Sequence, residues 1–423
     1  SPLMATLILS ECVVEATEAK TPLMICTLDA SKAFDTVVHD SLIRKVFLEG
    51  TDHELVALID SLYQGMTTKI SWRGTTSDSF EVKQGTRQGG VLSPDLYKVF
   101  INSLLHDLQN KAIGAHIGDL YTGIPTVADD VTLLTFDMDE APLMIDLASD
   151  YANQERYALN ATKTELANLG AYAESPIACT INAEPIQERN SVTHLGLTHS
   201  NKKPTNQMLV EEKISLLNKT CYSLMGTGLH GENGVGPKTA VAIYRCYVLP
   251  RYLYGLSVVY LSPKQVEQME AAHRRILRQI QSLPERTAKC AIYLLIGMLP
   301  FEGLLHLSQL SMLNSIIHSD NQLLRDLCTR QLSMKSFKSR SWFVVIAKLL
   351  HKYNLPSVND FMAKHTSKES LKRLIKKNVH DYWEQKLKAE CGTKSSLSFL
   401  NIEDTSVCKP HVIWNSVATN GQD

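Results

Sequence analysis

The chain has 423 residues, enough for two or three domains with cores of their own, and its content of 44% hydrophobic and 21% charged residues is ordinary for a globular protein. No apolar run reaches the roughly 20 residues that cross a bilayer and no signal-peptide pattern is present, so we expect a nuclear or cytoplasmic protein with no membrane partner. The nine cysteines form no CxxC motif, which argues against a zinc cluster or a disulfide framework.

The net charge of −1 conceals a strong asymmetry along the chain. Residues 1–150 carry 10 basic and 22 acidic side chains, whereas residues 331–390 carry 13 basic and 5 acidic ones. A basic run is most often a solvated helical face, but beside an acidic segment it also fits a surface that contacts phosphates. The charge pattern favours a nucleic-acid partner without requiring one.

Helical and strand patterns alternate over the first 200 residues, and helical patterns dominate after residue 205. We place domain boundaries near residues 200 and 330. The periodicity predicts helices over residues 3–19, 40–50, 93–110, 142–159 and 263–282, and a further helix capped by Asp52. The last of the numbered helices begins with a capping box at Ser262 and Gln265. Strands are predicted over residues 23–28 and 131–136, with a hairpin around Gly74 and short strands over residues 165–198.

Three short stretches carry the chemistry. Leu28–Asp35 places an aspartate at the end of an apolar strand, Gly85–Pro94 is a glycine-rich turn that opens a helix, and Val127–Asp130 places two aspartates before another strand. Carboxylates are the ligands that hard cations prefer, and two such cations about 4 Å apart activate a primer hydroxyl and neutralise a leaving pyrophosphate. A single Asp-Asp pair is more often a turn or a cap, but the ordered set of three indicates nucleotidyl transfer.

These stretches resemble the catalytic motifs of reverse transcriptases from LINE-type (non-LTR) retrotransposons. Leu159–Glu165 resembles the next motif of that family, His194–Gly196 resembles the short turn after it, and Arg251–Pro300 resembles the helical region beyond the palm. The resemblance implies an α+β fold: a reverse-transcriptase palm with partial fingers (residues 1–200), a mostly helical thumb-like region (residues 201–330) and a basic helical C-terminal region (residues 331–423). Since the endonuclease, part of the fingers and the zinc knuckle of the family are missing, we expect a chain truncated at both ends.

The resemblance also implies roles for individual residues. Asp29, Asp129 and Asp130 would be catalytic metal ligands for two Mg²⁺ ions, with Mn²⁺ as a possible substitute, and Lys163 would donate a proton to the leaving pyrophosphate. The remaining implied roles are nucleotide binding by Ala30, Phe34, Arg87, Gln88, Gly89 and Gly90, and primer grip by Leu195 and Gly196.

Purely structural roles remain open for several of these residues. Phe34 is expected to exclude a ribose 2′-hydroxyl, but it also fits a core phenylalanine. Arg87 fits a structural salt bridge as well as a phosphate contact, and Lys163 fits a surface lysine. Val127 stands where the family commonly has an aromatic residue.

The resemblance predicts an RNA-directed DNA polymerase whose partners are an RNA template, a DNA primer and deoxynucleoside triphosphates. Two alternatives stay open. One is a catalytically silent or decayed reverse-transcriptase-like module that binds nucleic acid, and the other is a group II intron-type maturase. The sequence gives no indication of an oligomeric state.

Overall fold

Two units divide the chain in the computed structural model: Ser1–Lys202 and Lys203–Asp423. The structure describes residues 1–87, 89–170, 178–229, 234–363 and 366–415. The first unit mixes helices and strands and the second is mostly helical, so the α+β class expected from the sequence is confirmed. The further division into palm, thumb and C-terminal region stays a prediction.

The first unit contains five helices and thirteen short strands in its described residues. The helices are α1 (Pro2–Ala19), α2 (His39–Leu48), α3 (His53–Tyr63), α4 (Ser93–Asn110) and α5 (Glu140–Gln154), and the strands are β1 (Met24–Leu28), β2 (Thr67–Thr68), β3 (Ser71–Trp72), β4 (Thr75–Thr76), β5 (Phe80–Glu81), β6 (His116–Ile117), β7 (Leu120–Tyr121), β8 (Val131–Thr135), β9 (Glu165–Asn168), β10 (Cys179–Ile181), β11 (Glu184–Ile186), β12 (Ser191–His194) and β13 (Leu197–Ser200).

A three-stranded antiparallel sheet forms the centre of this unit, in the order β8–β1–β9. Both β1 and β8 are short apolar runs that are buried on both faces, as expected for central strands. Their register pairs Met24 with Thr135 at one end and Leu28 with Val131 at the other. The register therefore decides which residues meet where the two strands end.

Two helix boundaries differ from the sequence prediction. Helix α5 ends at Gln154 and not near residue 159, because Arg156 adopts a left-handed φ of 61° and residues 158–160 bond instead to the segment after β1. Ser93 is not the cap of α4 but its first residue, and its hydroxyl donates to the carbonyl of Arg87 at 2.5 Å. The predicted cap of α3 is confirmed, since the Asp52 side chain accepts from the Glu54 amide at 2.9 Å.

The second unit contains ten helices in its described residues. The predicted capping box is confirmed at the start of α9, where Ser262 and Gln265 bond each other's backbone amides. The helices are α6 (Thr205–Met225), α7 (Pro237–Ile243), α8 (Leu249–Leu253), α9 (Pro263–Ile280), α10 (Lys289–Ile296), α11 (Phe301–Ile317), α12 (Gln322–Met334), α13 (Trp342–Lys352), α14 (Val358–Ala363) and α15 (Lys368–Gly392), with a π-helical turn at Tyr244–Val248 and short 3₁₀ turns at Leu256–Val258, Ser395–Leu397, Ile402–Asp404 and Val412–Asn415.

The described helices are short or too polar to span a membrane one by one. No single one of them is long and apolar enough to cross a bilayer, while α10 and α11, bent by 57° at the break between them, pass together by length and composition only.

A buried ion pair joins three helices of the first unit. Lys45 on α2 lies 2.9 Å from Glu155, just beyond α5, and the two side chains are only 6% and 8% exposed. The Lys45 ammonium also donates to the Phe100 carbonyl of α4 at 3.1 Å and to the Tyr151 hydroxyl of α5 at 2.5 Å. Burial lowers the pKa of Lys45, and Glu155 opposes that shift. Removing one member of such a pair leaves an uncompensated buried charge.

We predict that Lys45→Ala lowers the free energy of unfolding by about 3–5 kcal/mol, because Glu155 loses its main partner. Replacing both members by apolar residues, as in Lys45→Met with Glu155→Leu, should recover most of that loss. Urea denaturation of the single and double variants measures both values. The exposed pair Lys98–Asp95 at 2.7 Å is the control, and Lys98→Ala should cost less than about 1 kcal/mol. Equal costs at the two lysines would contradict the assigned role of burial.

A second prediction concerns two buried histidines of the β12–β13 hairpin. Burial lowers the pKa of His194 to about 4 and that of His199 to about 3, whereas in an unfolded chain both take up protons near pH 6.5. The unfolded state therefore binds more protons over this range, and stability falls as the pH drops from about 6.5 toward 4, by up to about 1.4 kcal/mol per pH unit for each histidine.

His199→Gln should reduce this pH dependence, since glutamine does not titrate. Melting temperatures measured between about pH 7 and pH 5 test this expectation. His106→Gln on the exposed face of α4 is the matched control and should leave the slope unchanged. A parallel slope in His199→Gln and the unmodified chain would contradict the prediction.

Candidate active site

The ends of β1 and β8 bring the predicted carboxylates to the same edge of the sheet. Leu28 and Val131 are the last register pair. Asp29 follows Leu28 directly and Asp130 precedes Val131 directly, so the antiparallel register sets these two residues opposite each other. A hundred residues of sequence separate them, and only the pairing of two buried strands joins them.

A tight turn presents the aspartate pair. Val127 and Asp130 exchange backbone hydrogen bonds of 3.2 and 3.0 Å, which leaves Ala128 and Asp129 as the two residues at the tip. Ala128 has a φ of 54°, in the left-handed region that residues with a Cβ rarely adopt. Asp129 and Asp130 are both exposed. Asp129 thus lies at the tip of a tight turn that Asp130 closes.

The three carboxylates repel one another. Partial desolvation raises the pKa of Asp130, and the negative charges of Asp129 and Asp29 raise it further. Such a cluster of oxygen ligands suits a hard divalent cation by its chemistry. Within the described residues, however, no three His, Cys, Asp or Glu side chains stand in the arrangement of a metal site. The donor set fits divalent metal, while the structure shows no closed set of ligands.

Lys163 lies beside Asp29, with 3.8 Å between its ammonium nitrogen and Oδ2 of Asp29. Both side chains are substantially exposed, so the ion pair itself adds little stability. The position of Lys163 is set by Asn160, whose side-chain oxygen accepts from the amides of Thr162 and Lys163 at 3.1 and 3.2 Å. The Asn160 amide in turn donates to the Asp29 carbonyl at 2.9 Å. The turn that carries Lys163 is therefore bonded directly to the end of β1.

Ala30 forms an isolated antiparallel bridge with Leu159. The hydrogen bonds of this bridge run from Asn160 to the Asp29 carbonyl and from Ser31 to the Ala158 carbonyl, so the carbonyl of Ala30 lies outside the pair of bonds. The bridge therefore does not use the Ala30 carbonyl, which is compatible with the nucleotide-binding role implied for Ala30.

Phe34 packs against Tyr97 of α4, with ring centroids 4.6 Å apart and an angle of 31° between the ring planes. Tyr97 is only 1% exposed, whereas Phe34 is half-buried. Burial raises the pKa of Tyr97, and the charge of Asp129 raises it further, so the hydroxyl of Tyr97 lies within the field of the aspartate turn. The half-buried ring of Phe34 is thus supported on one side by the buried ring of Tyr97.

The glycine-rich turn is bonded to the segment that carries Phe34. The amides of Gly85 and Thr86 donate to the carbonyls of Val37 and Phe34 at 2.7 and 2.8 Å. A Cβ at Gly85 would lie 3.0 Å from the carbonyl oxygen of Asp35, and the φ of 93° also requires glycine there.

The predicted nucleotide-binding residues follow in the same turn. Arg87 is exposed and its Nε donates to the Met66 sulfur at 3.4 Å, with no described carboxylate as an ion-pair partner. Gly89 is exposed with a φ of 79°, and a Cβ at Gly90 would lie 2.8 Å from the Ser93 hydroxyl. Gln88 lies outside the described residues.

Leu195 and Gly196 form the two-residue turn between β12 and β13. Both have positive φ, 49° and 79°, as the tight turn of a β-hairpin requires. His194, just before them, approaches the Pro125 carbonyl at 3.4 Å through Nε2. This contact connects the hairpin to the segment that leads into the aspartate turn.

Tyr97 and Asn160 are the two site residues that the sequence analysis missed. Tyr97 lies next to the apolar row of α4, where it resembles one more core residue. Asn160 belongs to a predicted motif, but its role depends on backbone bonds to a distant segment. An aromatic residue four positions after Ser93, directly behind the glycine-rich turn, was the available signal for Tyr97.

Comparison with known proteins identifies the first unit. Residues 4–199 match the family model described as reverse transcriptase (RNA-dependent DNA polymerase). The chain is 25% identical over 279 residues to the RNA-directed DNA polymerase from mobile element jockey of Drosophila funebris, which covers 64% of this chain and 30% of that protein. It is 31% identical over 139 residues to the Pol polyprotein of the element R2DM of Drosophila melanogaster, covering 33% of this chain and 13% of that protein.

A third relative is the Pol polyprotein of the element R2 of Popillia japonica, 24% identical over 62% of this chain and 43% of that protein. The chain thus spans less than half the length of these three relatives. Among solved structures, apo telomerase from Candida tropicalis is 12% identical with a TM-score of 0.37 and covers 95% of this chain and 56% of that one. The family match lies wholly within the first unit: a reverse transcriptase domain is present over residues 4–199, and the chain is similar to polymerases of non-LTR retrotransposons.

Proposed function

We propose that this chain is the polymerase part of a non-LTR retrotransposon protein and extends a DNA primer on an RNA template with deoxynucleoside triphosphates. The observation that carries the proposal is the register of β1 and β8, which sets Asp29 opposite the Asp129–Asp130 turn inside a reverse transcriptase domain. In this proposal the second unit supplies the thumb and the basic C-terminal region. The nuclear or cytoplasmic location stays a prediction.

Asp29, Asp129 and Asp130 would hold the divalent ions, two Mg²⁺ with Mn²⁺ as a substitute. When bound, such ions activate a hydroxyl nucleophile and neutralise charge on the leaving group. The chain's own contribution is to hold three mutually repelling carboxylates close together, which the raised pKa of Asp130 reflects. Each added positive charge relieves that repulsion.

Lys163 is proposed to donate a proton to the leaving pyrophosphate. Its ammonium is largely exposed and lies beside Asp29, at the edge where the carboxylates meet. A proton donor must reach the atom that it protonates. The turn held by Asn160 keeps Lys163 beside Asp29, which supports this role.

The nucleotide would lie between the aspartate turn and the glycine-rich turn. Arg87 is exposed with no described carboxylate partner, so its guanidinium is available to a phosphate. Gly89 and Gly90 permit close approach of the sugar, with Gln88 beside them. Leu195 and Gly196 would contact the primer end, through a hairpin that His194 connects to the aspartate segment.

The absence of three described metal ligands in a metal-site arrangement favours one alternative, a catalytically silent domain that still binds nucleic acid. Primer extension separates the two functions, because only the first requires the carboxylates.

We predict that Asp129→Asn lowers primer extension on an RNA template by more than about 100-fold, since it removes a charge that interacts with the ions in the transition state. The melting temperature should stay equal or rise, because the substitution also relieves repulsion with Asp130. Asp150→Asn, an exposed position on α5, is the matched control and should keep full activity. Undiminished extension by Asp129→Asn would end the assignment.

A second prediction concerns sugar selection by Phe34. Tyr97→Leu should leave the Phe34 ring without its aromatic support and raise the use of ribonucleotides relative to deoxyribonucleotides by roughly 10-fold, measured as the ratio of kcat/KM values. Tyr97→Phe keeps the ring and should keep the discrimination, and Phe34→Ala should relax it more than Tyr97→Leu does. If Tyr97→Leu lowers both kcat/KM values equally, the role in sugar selection is wrong.

A further inference from the structure

Helix α15 carries an exposed row of cations along the first half of its length. Lys368, Lys372 and Lys376 recur every four residues on this helix, and Arg373 and Lys377 form a second row beside them. All five side chains are exposed. Residues four apart lie on one face of a helix and are spaced about 6 Å along its axis. We call these five side chains the α15 ridge.

The ridge carries an excess of positive charge that no ion pair compensates within the part of the chain that the structure describes. None of its five cations forms an ion pair with a described carboxylate, and Glu369 is the one acidic residue among positions 368–377. The second half of the same helix differs, because Lys388 pairs there with Glu384 at 3.1 Å and Lys386 lies 4.6 Å from the Trp383 ring centre. The positive charge is therefore concentrated in one half of the helix.

Folding alone does not favour such a row. Like charges four residues apart destabilise a helix, and a cation in the first turn, such as Lys368, opposes the positive end of the helix dipole. The positive field also reaches His380, since burial lowers the pKa of this histidine and the charge of Lys376 lowers it further. An anion placed along the ridge would relieve all of these interactions.

The opposite face of α15 provides the stability. Its apolar residues are buried against α10 and α11, and they comprise Leu371, Ile375, Val379, Trp383, Leu387 and Cys391. No large apolar side chain of α15 is exposed, so this helix lacks the apolar face that an interfacial helix inserts into a bilayer. No aromatic ring of α15 is exposed either, which argues against a surface on which single-stranded bases stack.

We propose that the α15 ridge binds the phosphate backbone of a nucleic-acid duplex without regard to base sequence. Regularly spaced cations, no exposed aromatic ring and no apolar patch match a partner with evenly spaced negative charges and a shape to be followed. The ridge lies in the second unit, outside residues 4–199, and this binding is separate from the chemistry proposed for the carboxylates.

The test uses the full chain and blunt RNA and DNA duplexes of matched sequence, without metal or nucleotide. For Lys372→Gln with Lys376→Gln, the affinity should fall roughly 10-fold at low salt, and the slope of log affinity against log salt should become shallower by about 2, near 0.9 for each lost contact. Loss on either duplex supports the proposal and identifies the preferred one. The melting temperature should rise by about 1–2 °C, because two like-charge repulsions disappear.

The matched control lies on the same helix. Lys386→Gln with Lys388→Gln removes the same charge from the half with internal partners, and it should leave the affinity and the salt slope unchanged while lowering the melting temperature. An equal loss of affinity in the two variants would reduce the effect to net charge and overturn the proposal. The proposal is also overturned if the ridge variant binds both duplexes as well as the unmodified chain does. The same holds if, in a parallel measurement, the variant loses affinity only for vesicles that contain phosphatidylserine.

The Asp129→Asn variant keeps this test separate from the proposed polymerase function. It should bind the blunt duplexes with an unaltered salt slope although it does not extend a primer. A ridge variant that extends primers but has lost duplex affinity supports the ridge whatever the outcome for the carboxylates.

Discussion

The antiparallel pairing of β1 with β8 is the constraint on which the rest of the first unit depends. The pair ends at Leu28 and Val131, and the next residues are Asp29 and Asp130. A slip of one residue would move every side chain of β1 to the other face and separate these aspartates. Both strands are buried on both faces, so the burial of their side chains stabilises this pairing. Burial of uncharged residues thus holds together carboxylates that repel each other.

Backbone hydrogen bonds then extend this order to the surrounding turns. In the segment after β1, the carbonyls of Phe34 and Val37 accept hydrogen bonds from the glycine-rich turn, and the carbonyl of Asp29 accepts one from the turn that carries Lys163. Left-handed backbone at Ala128 and Leu195 adds two strained positions, which persist only where the surrounding structure enforces them. Backbone geometry therefore positions the candidate site, and its side chains remain exposed enough to meet ligands.

Local patterns predicted the parts of this arrangement that depend on neighbours in sequence. The strand before Asp29 and the cap at Asp52 each follow from a few adjacent residues, whereas the turn at Leu195 was implied by the family resemblance. The predicted end of α5 was wrong because long-range backbone hydrogen bonds to the segment after β1 end the helix earlier than its periodicity suggests. The contact between Phe34 and Tyr97 was missed for a related reason. It joins two motifs that are separate in sequence and meet only after β1, β8 and α4 have packed.

The carboxylates and the α15 ridge are clusters of like charge, and each lies on an element whose stability comes from elsewhere. The carboxylates lie at the ends of two buried strands, after β1 and before β8, and the α15 ridge lies on the outer side of a helix whose apolar face is packed. Neither cluster contributes to folding, because repulsion within it opposes the folded state. Lys163 pairs with Asp29 alone, so both clusters keep an excess of like charge. In the two proposals an opposite charge relieves it: cations at Asp29, Asp129 and Asp130, and phosphates along α15. The two proposals thus assign different kinds of ligand to the acidic and the basic parts of the sequence, and the small net charge of the whole chain is a poor guide to either.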